Sequence, residues 1–181
     1  MKIGTAFLAY NRQKHLKKFL KAIIKEKVKE LSVYMDGPEN LVIKKNQTKI
    51  INLINNSKKK IKIKLIHQKK NYGLAHSVLN AVKTELKNNE AIILIEDDCV
   101  PQKGFFKYMN TSLKKYKNER KIKSICSYNN LNVANKKNTF FLKRFNPWGW
   151  ATWRDRWLKF NPDIKFAIEQ LQSFGKINKL P

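Results

Sequence analysis

The chain has 181 residues, of which 42% are apolar and 11% aromatic, and its formal net charge is +26. This length and composition predict one folded domain with a real core and exclude an intrinsically disordered chain. No apolar run approaches the ~18 residues of a membrane-spanning helix, and the amino terminus lacks the cleavage site of a signal peptide. Two cysteines give no disulfide framework and favour a cytoplasmic location.

The positive charge predicts attraction to anions rather than a specific nucleic-acid site. Only five of the 39 basic residues are arginine, the side chain that reads bases and binds phosphate in bidentate fashion. The lysines are mixed with Asn and Ile, as a compositional bias of the genome would produce. We expect a solvated basic surface that favours acidic substrates and is attracted to the inner face of an anionic membrane. A basic nucleic-acid-binding protein is an alternative.

Strand and helix patterns alternate along the first 96 residues. Apolar and alternating runs predict strands at 2–9, 31–37, 61–67 and 91–96. Apolar residues at helical spacing predict helices at 13–25, 39–55 and 75–86. This order predicts an α/β fold with a mostly parallel sheet flanked by helices. Right-handed crossovers place the carboxyl ends of all four strands on one side of the sheet, which we call its carboxyl edge. Ligands of open α/β sheets bind there.

A polar cluster follows each of these four strands. The clusters are Tyr10-Asn11-Arg12, Asp36-Gly37, His67 to Gly73, and Glu96-Asp97-Asp98. Four clusters at equivalent positions are much less expected by chance than one, so they predict a ligand site at this edge. The last cluster is the most informative because the chain has only 13 acidic residues.

Three consecutive acids, Glu96, Asp97 and Asp98, end a buried strand without a nearby His or Cys pattern. Such carboxylates favour a hard cation, Mg²⁺ or Mn²⁺, which neutralises a diphosphate leaving group. The chain has neither a GxxxxGK[ST] nor a GxGxxG loop, which argues against a P-loop NTPase and a classical dinucleotide fold. The alternative is that the acids only cap a helix that begins near Pro101 and offset the charge of nearby lysines.

Other polar positions have a structural interpretation beside the functional one. Asp36-Gly37-Pro38 is ordinary turn chemistry, although at this edge the carboxylate of Asp36 could accept from a base or a ribose. Asn71 and Gly73 could simply shape a loop and the start of a helix. Each of these residues therefore carries two hypotheses.

The pattern is less regular after Asp98, where a helix is expected to begin at Pro101 and to carry Phe105, Phe106, Met109 and Leu113. Residues 122–129 are a strand candidate, and all four tryptophans lie between positions 148 and 157. Trp150, Trp153 and Trp157 have helical spacing, which predicts a helix with Trp153 and Trp157 in the core. Trp148 and Trp150 flank Gly149, where a flat indole could face a sugar.

The segments AYNR, YMDGPE, NYGLAHSV, ILIEDDCVP and NPWGWATWRDRW together resemble nucleotide-sugar glycosyltransferases of the GT-A fold. The chain is most similar to bacterial proteins related to N-acetylglucosaminyltransferase I and to family-2 sugar transferases. The resemblance implies a nucleoside-diphosphate sugar donor, with UDP as the nucleotide, and a glycan-type acceptor. It also implies an Mn²⁺ or Mg²⁺ cofactor at the DxD-like position and inversion at the sugar.

The resemblance implies roles for individual residues. Asp98 is the direct metal ligand, while Glu96 and Asp97 contact the ribose and the sugar. The residues that hold the nucleotide or lie near it are Tyr10, Asn11, Arg12, Asp36, Asn71, Gly73 and Leu74. Trp148, Gly149 and Trp150 border the donor sugar and the acceptor.

Inverting members of this family need a carboxylate base for the acceptor hydroxyl. We expect that base in a Trp-Asp-x-x-Trp-like segment downstream of the tryptophan motif, and the sequence reaches Pro181 without one. Residues 1–181 are therefore expected to form a single domain whose C-terminal part is incomplete. Asp155 is the remaining candidate for the base, and a nucleotide-sugar-binding module without turnover is the alternative function.

Overall fold

The computed structural model describes residues 1–128 and 139–173. Its strands are β1 (Ile3–Ala9), β2 (Glu30–Met35), β3 (Lys62–His67), β4 (Ala91–Ile95), β5 (Ile125–Cys126) and β6 (Trp150–Trp153). Its helices are α1 (Gln13–Lys25), α2 (Leu41–Ser57), α3 (Leu74–Asn88), α4 (Phe105–Lys115), α5 (Arg154–Trp157) and α6 (Ile164–Ser173). Over these two ranges, no helix has both the length and the hydropathy needed to cross a membrane.

The strands form one mixed sheet in the order β3-β2-β1-β4-β6-β5. β1 pairs in parallel with both β2 and β4, and β2 pairs in parallel with β3. The predicted α/β fold with a mostly parallel sheet is therefore confirmed. All five residues of β4 are buried, as expected for an unbroken apolar strand covered on both faces.

Helices cover both faces of the sheet. Buried residues of α1, α2 and α4 join Phe7 and Ile93 in one apolar cluster, in which the rings of Phe7 and Phe19 stack with centroids 4.0 Å apart. Buried residues of α3 join Leu8 and Leu94 in a second cluster on the opposite face. Adjacent residues of β1 and β4 thus alternate between the two clusters, because successive side chains of a strand point to opposite faces.

Two local predictions are corrected. The helix predicted from Pro101 begins at Phe105, and its N-cap is Gly104 with φ +88°. The strand predicted for residues 122–129 is confined to the two residues of β5, and residue 129 lies outside the described ranges. In both places the sequence pattern predicted the correct type of element. It placed the start of the helix too early and made the strand too long.

The tryptophan segment is a strand where the spacing predicted a helix. Trp150 pairs with Leu94 and Trp153 pairs with Ala91, both in antiparallel register. Residues three apart share a helix face but lie on opposite faces of a strand. Accordingly, Trp153 joins the first cluster and Trp150 the second, with 1% and 5% of their surfaces exposed. The predicted core position of Trp153 is confirmed, and the predicted helix begins only at Arg154.

Trp153 also fixes the end of α4 against the sheet. Its indole N–H donates to the carbonyl of Leu113 at 3.0 Å, which lies in the last turn of α4, where carbonyls have no partner within the helix. The guanidinium of Arg156 lies 4.1 Å from the Trp153 ring centroid, and Nη2 of Arg156 donates to the carbonyls of Tyr116 and Lys117. Trp153 and Arg156 therefore serve packing in this part of the fold.

Candidate functional site

The three acids form a turn at the carboxyl end of β4. The N–H of Cys99 donates to the carbonyl of Glu96 at 3.0 Å and closes this turn. Glu96 and Asp97 are partly buried, whereas the side chain of Asp98 is 45% exposed. Helix α4 has no acidic residue in its first turn and no side-chain cap, so the alternative that these acids cap it is wrong. We call residues 96–98 the acidic turn.

Arg12, in the loop between β1 and α1, faces the acidic turn. Its Nη1 lies 2.9 Å from Oδ1 of Asp97 and 3.3 Å from Oδ2 of Asp98. The two loops meet because β1 and β4 are adjacent and parallel, with Phe7 opposite Ile95. One guanidinium nitrogen is thus shared by two adjacent carboxylates, the first of which lies 85 positions from Arg12 in the sequence.

Burial and mutual repulsion raise the pKa values of two carboxyl groups in the acidic turn. The pKa of Glu96 is raised first by burial and then by the charges of Asp98 and Asp97. Burial also raises the pKa of Asp97, partly opposed by Arg12 and raised further by Asp98. The turn therefore holds more negative charge than Arg12 compensates, which a divalent cation would relieve.

The donor atoms of the acidic turn fit a hard cation. Carboxylate oxygens suit Mg²⁺ or Mn²⁺, and the adjacent Cys99 does not supply a thiolate because burial and Asp98 raise its pKa to about 12. Within residues 1–128 and 139–173, no three His, Cys, Asp or Glu side chains are grouped so that they could hold a metal ion. A cation here would compete with Arg12 for carboxylate oxygens and complete its shell with water and ligand oxygens.

Asp36 fastens the end of β2 to the loop that precedes α3. It is only 7% exposed, and its carboxylate accepts from the N–H groups of Gly37, Tyr72 and Gly73 at 2.8–3.2 Å. Its own carbonyl accepts from Nε2 of Gln47 at 2.9 Å. These contacts favour the structural interpretation of Asp36, because its oxygens are already engaged by backbone donors.

Asn71 takes part in the same fastening. Its amide nitrogen donates to the carbonyl of Gly37 at 3.1 Å, and its side-chain oxygen accepts from the N–H of Gly73 at 3.1 Å. A Cβ at Gly37 would lie 2.3 Å from the carbonyl carbon of Lys70, so only glycine permits this approach. Gly73 has φ +84° at the start of α3, and Leu74, the first helical residue, is exposed.

Tyr10 and Asn11 lie between the acidic turn and the Asp36 loop. The hydroxyl of Tyr10 is enclosed without a partner at hydrogen-bond geometry, and burial followed by the charge of Glu39 raises its pKa. Asn11 is partly buried, and its carbonyl accepts from the N–H of Gln13 where α1 begins. Sequence reasoning missed Glu39, although it lies only three residues after Asp36 at the same strand end.

The residues before β6 reach this edge as well. Since Trp150 pairs with Leu94, Trp148 and Gly149 lie beside the carboxyl end of β4. Trp148 is 46% exposed, and its ring meets the edge of Tyr128 with centroids 5.0 Å apart. The indole that the sequence placed near a sugar is thus accessible.

The other two members of the tryptophan motif have packing roles. The ring of Trp150 is buried between Phe145 and Trp157, with centroids 5.1 and 6.2 Å away, so its predicted contact with a sugar is not supported. Gly149 has φ +69°, and a Cβ there would lie 2.9 Å from Oγ of Ser127. Gly149 therefore allows the close pairing of β6 with the segment that contains Ser127.

Asp155 lies at the opposite edge of the sheet. It follows Trp153, which pairs with the first residue of β4, and it lines a cavity with Glu90 and Lys117. Its carboxylate accepts from Nη1 of Arg156 at 2.8 Å. The length of β4 separates it from the acidic turn by about 15 Å, whereas a base must come within hydrogen-bond reach of its proton. This placement argues against Asp155 as a base for chemistry at the acidic turn.

No protein family and no curated protein matches this sequence, but solved structures match its fold. TarS 1–349 from S. aureus matches with a TM-score of 0.51 and 18% identity, over 65% of this chain and 33% of that chain. M. tuberculosis glucosyl-3-phosphoglycerate synthase matches with a TM-score of 0.51 and 11% identity, over 85% and 57%. The 4-diphosphocytidyl-2C-methyl-D-erythritol synthase of Anaerococcus prevotii matches with 0.52 and 12%, over 98% and 86%.

These similarities confirm a GT-A-type fold. The chain spans a third of the TarS chain and little more than half of the glucosyl-3-phosphoglycerate synthase. At these identities the comparison establishes the fold alone, and the specific relation to N-acetylglucosaminyltransferase I has no sequence match behind it. Because a diphosphocytidyl-methylerythritol synthase shares the fold, the reaction must be argued from the site.

We expect Asp36→Asn to destabilise the protein by about 1–3 kcal/mol, because an amide nitrogen would face backbone N–H groups that the carboxylate now satisfies. Urea unfolding at neutral pH measures the change. Glu39→Gln, at an exposed position of the same edge, is the control and should change stability by less than about 0.5 kcal/mol. Unchanged stability of Asp36→Asn together with lost nucleotide affinity would instead identify Asp36 as a ligand-binding residue.

Glu96→Gln should stabilise the folded chain at neutral pH. The folded-state pKa of Glu96 is raised, so folding favours the protonated carboxyl. The stability that this protonation contributes is lost as pH rises through the raised pKa, and at pH 7 the ionised carboxylate destabilises the folded state. The variant should melt ~1–4 °C above the parent at pH 7 without metal. This gain should vanish below about pH 4, where the carboxyl is protonated in both states. A variant less stable than the parent at pH 7 would contradict this account.

Proposed function

We propose that the chain is the nucleotide-sugar-binding domain of a metal-dependent, inverting glycosyltransferase. Its donor is a nucleoside-diphosphate sugar, with UDP as the nucleotide, and it transfers a hexosyl or N-acetylhexosaminyl unit to a glycan or other acceptor. The observation that carries the proposal is the acidic turn facing Arg12 at the carboxyl edge of a GT-A-type sheet. Ligands of α/β sheets bind at this edge, and carboxylates at a strand end are suited to a cation that carries a diphosphate.

Asp98 is the proposed ligand of Mn²⁺ or Mg²⁺, because its side chain is the most exposed of the three acids. One of its carboxylate oxygens contacts Arg12. When bound, the cation supplies charge neutralisation for the departing diphosphate. Asp97 and Glu96 are proposed to contact the ribose and the sugar. Arg12, which now pairs with both aspartates, would be free to bind phosphate oxygens once a cation binds these carboxylates.

The nucleotide is proposed to lie along the loops that follow β1 and β3. Tyr10 and Asn11 form one side of this surface. Gly73 and Leu74 form the other, at the amino end of α3, where unpaired N–H groups favour anions. Asp36 and Asn71 support the binding surface indirectly, through the loop that they hold in place.

The donor sugar and the acceptor are proposed to lie beside Trp148. Its exposed indole offers a flat apolar face with one polar N–H, which suits the face of a sugar ring. Gly149 contributes through backbone geometry alone. The proposed sugar contact is thus reduced from the three residues of the tryptophan motif to Trp148, with Gly149 holding it in place.

A nucleotide-sugar-binding module without turnover is the second candidate function. The position of Asp155 favours it, because the one downstream acid that the sequence offered as a base lies at the wrong edge of the sheet. Loss of general-base catalysis typically lowers turnover by ~10²–10⁴-fold while leaving donor binding intact. Binding and turnover must therefore be measured separately.

UDP should bind at least about tenfold more tightly with Mn²⁺ than with EDTA, since the cation links the diphosphate to Asp98. Isothermal titration calorimetry measures both affinities. Asp98→Asn should abolish the difference, whereas Glu119→Gln, which removes the same charge at an exposed site after α4, should preserve it. Equal affinity for UDP in both conditions would overturn the metal assignment.

Asp155→Asn should change acceptor-dependent release of UDP from UDP-sugars by less than about twofold, because its carboxylate cannot reach a substrate at the acidic turn. A screen of UDP-sugars with candidate glycan acceptors measures this release. We expect slow turnover in the parent chain and in the variant. Rapid release that Asp155→Asn eliminates would show that this acid is the base and that the placement argument fails.

A further inference from the structure

A lysine-lined cleft lies at the edge of the sheet opposite the acidic turn. It is formed by the turns that follow α1 and α2, up to the residue before β2 and the first residue of β3, and its volume is about 610 Å³. Six of its nine lining residues are lysines: Lys27, Lys29, Lys58, Lys59, Lys60 and Lys62. The other three are Ile24, Val28 and Ile61, so the cleft combines a charged rim with an aliphatic floor.

The charge of this cleft exceeds what composition and helix ends explain. Lysine and arginine together make up 39 of the 181 residues, far less than their share of the lining. All six lysines are exposed, and in the described part of the chain only Lys62 forms an ion pair, with Glu30 at 2.8 Å. Lysines at the ends of α1 and α2 offset helix dipoles, but Lys29 and Lys62 lie at strand starts and have no such role.

Lys27 occupies a position that normally favours glycine. Its φ is +57°, and within residues 1–128 and 139–173 no other residue except glycine has a positive φ. The N–H groups of Lys27 and Val28 donate to the carbonyls of Ile24 and Ile23, the Schellman arrangement in which glycine is the usual residue. A lysine in this conformation is less favourable than glycine would be, and Lys27 lines the cleft.

The lining chemistry favours a phospholipid surface as the partner. Lysine ammonium groups attract phosphate as point charges without directional recognition. Clusters of four to eight basic residues are the usual determinant of binding to anionic lipid headgroups. The cleft has neither the arginines that read bases nor the aromatic rings on which single-stranded nucleic acid stacks.

We propose that the lysine cleft docks this protein on an anionic phospholipid bilayer, with lipid phosphate groups at its rim. The overall charge predicts only an attraction to such a membrane without a preferred orientation, whereas the cleft would orient the protein on the bilayer. The acidic turn then faces away from the bilayer. It lies about 20 Å from the cleft along the seven residues of β1, well beyond a Debye length of ~8 Å at physiological salt. Its negative charge therefore does not oppose docking.

Co-sedimentation with phosphatidylcholine vesicles, with and without phosphatidylglycerol, tests the proposal at physiological salt. The parent chain should bind only the vesicles that contain phosphatidylglycerol. Replacing Lys58, Lys59 and Lys60 with Gln should weaken this binding at least about tenfold, because each lysine near an anionic surface contributes roughly fivefold. The matched control replaces Lys69, Lys70 and Lys103, exposed lysines on loops at the opposite edge, and should weaken binding less than about threefold.

Lys27→Gly separates docking from folding. Glycine relieves the left-handed conformation, so this variant should melt at a higher temperature than the parent and yet bind the anionic vesicles about fivefold more weakly. Equal loss of vesicle binding in the two triple variants would overturn the proposal, because it would show that the net charge of the chain, and not the cleft, attracts the vesicles. Tighter binding to a single-stranded oligonucleotide than to vesicles, dependent on the same three lysines, would also overturn it.

Discussion

The parallel pairing of β1 with both β2 and β4 is the constraint on which the rest of the structure depends. It forces each connecting helix to return the chain to the same side, so three loops that are distant in sequence end at one edge. Arg12 meets Asp97 because β1 and β4 are neighbours. Asp36 meets the loop before α3 because β2 and β3 are neighbours. A strand order that parted β1 from β4 would separate Arg12 from Asp97, and one that parted β2 from β3 would separate Asp36 from the loop before α3.

The carboxylates of the candidate site repel one another, and they are carried by a well-packed strand. Glu96 and Asp97 are partly desolvated beside a third carboxylate, which raises their pKa values. The strand that carries them is buried along its whole length between two apolar clusters. Hydrophobic burial therefore supplies the stability that the acidic turn loses, a distribution common at sites that gain their counter-charge only from a ligand.

The two edges of the sheet have different chemistry. The carboxyl edge holds the acidic turn, Arg12 and the exposed ring of Trp148. The amino edge holds the lysine cleft and, near β6, the packing of Trp153 with Arg156. Asp155 belongs to the amino edge, where its partner is Arg156. The proposed ligand site at one edge and the proposed membrane contact at the other are thus physically separate.

The sequence by itself determined the alternation of strands and helices and the edge at which polar residues collect. Those features follow from local periodicity, which each segment carries alone. Only the tertiary structure decided that Trp150 and Trp153 belong to a strand, because their three-residue spacing fits both a helix face and the two faces of a strand until β4 is seen beside them. It also decided that Arg12 bridges Asp97 and Asp98, that backbone donors engage Asp36, and that Asp155 lies far from the acidic turn. These four outcomes depend on contacts between residues distant in sequence, which no local pattern encodes.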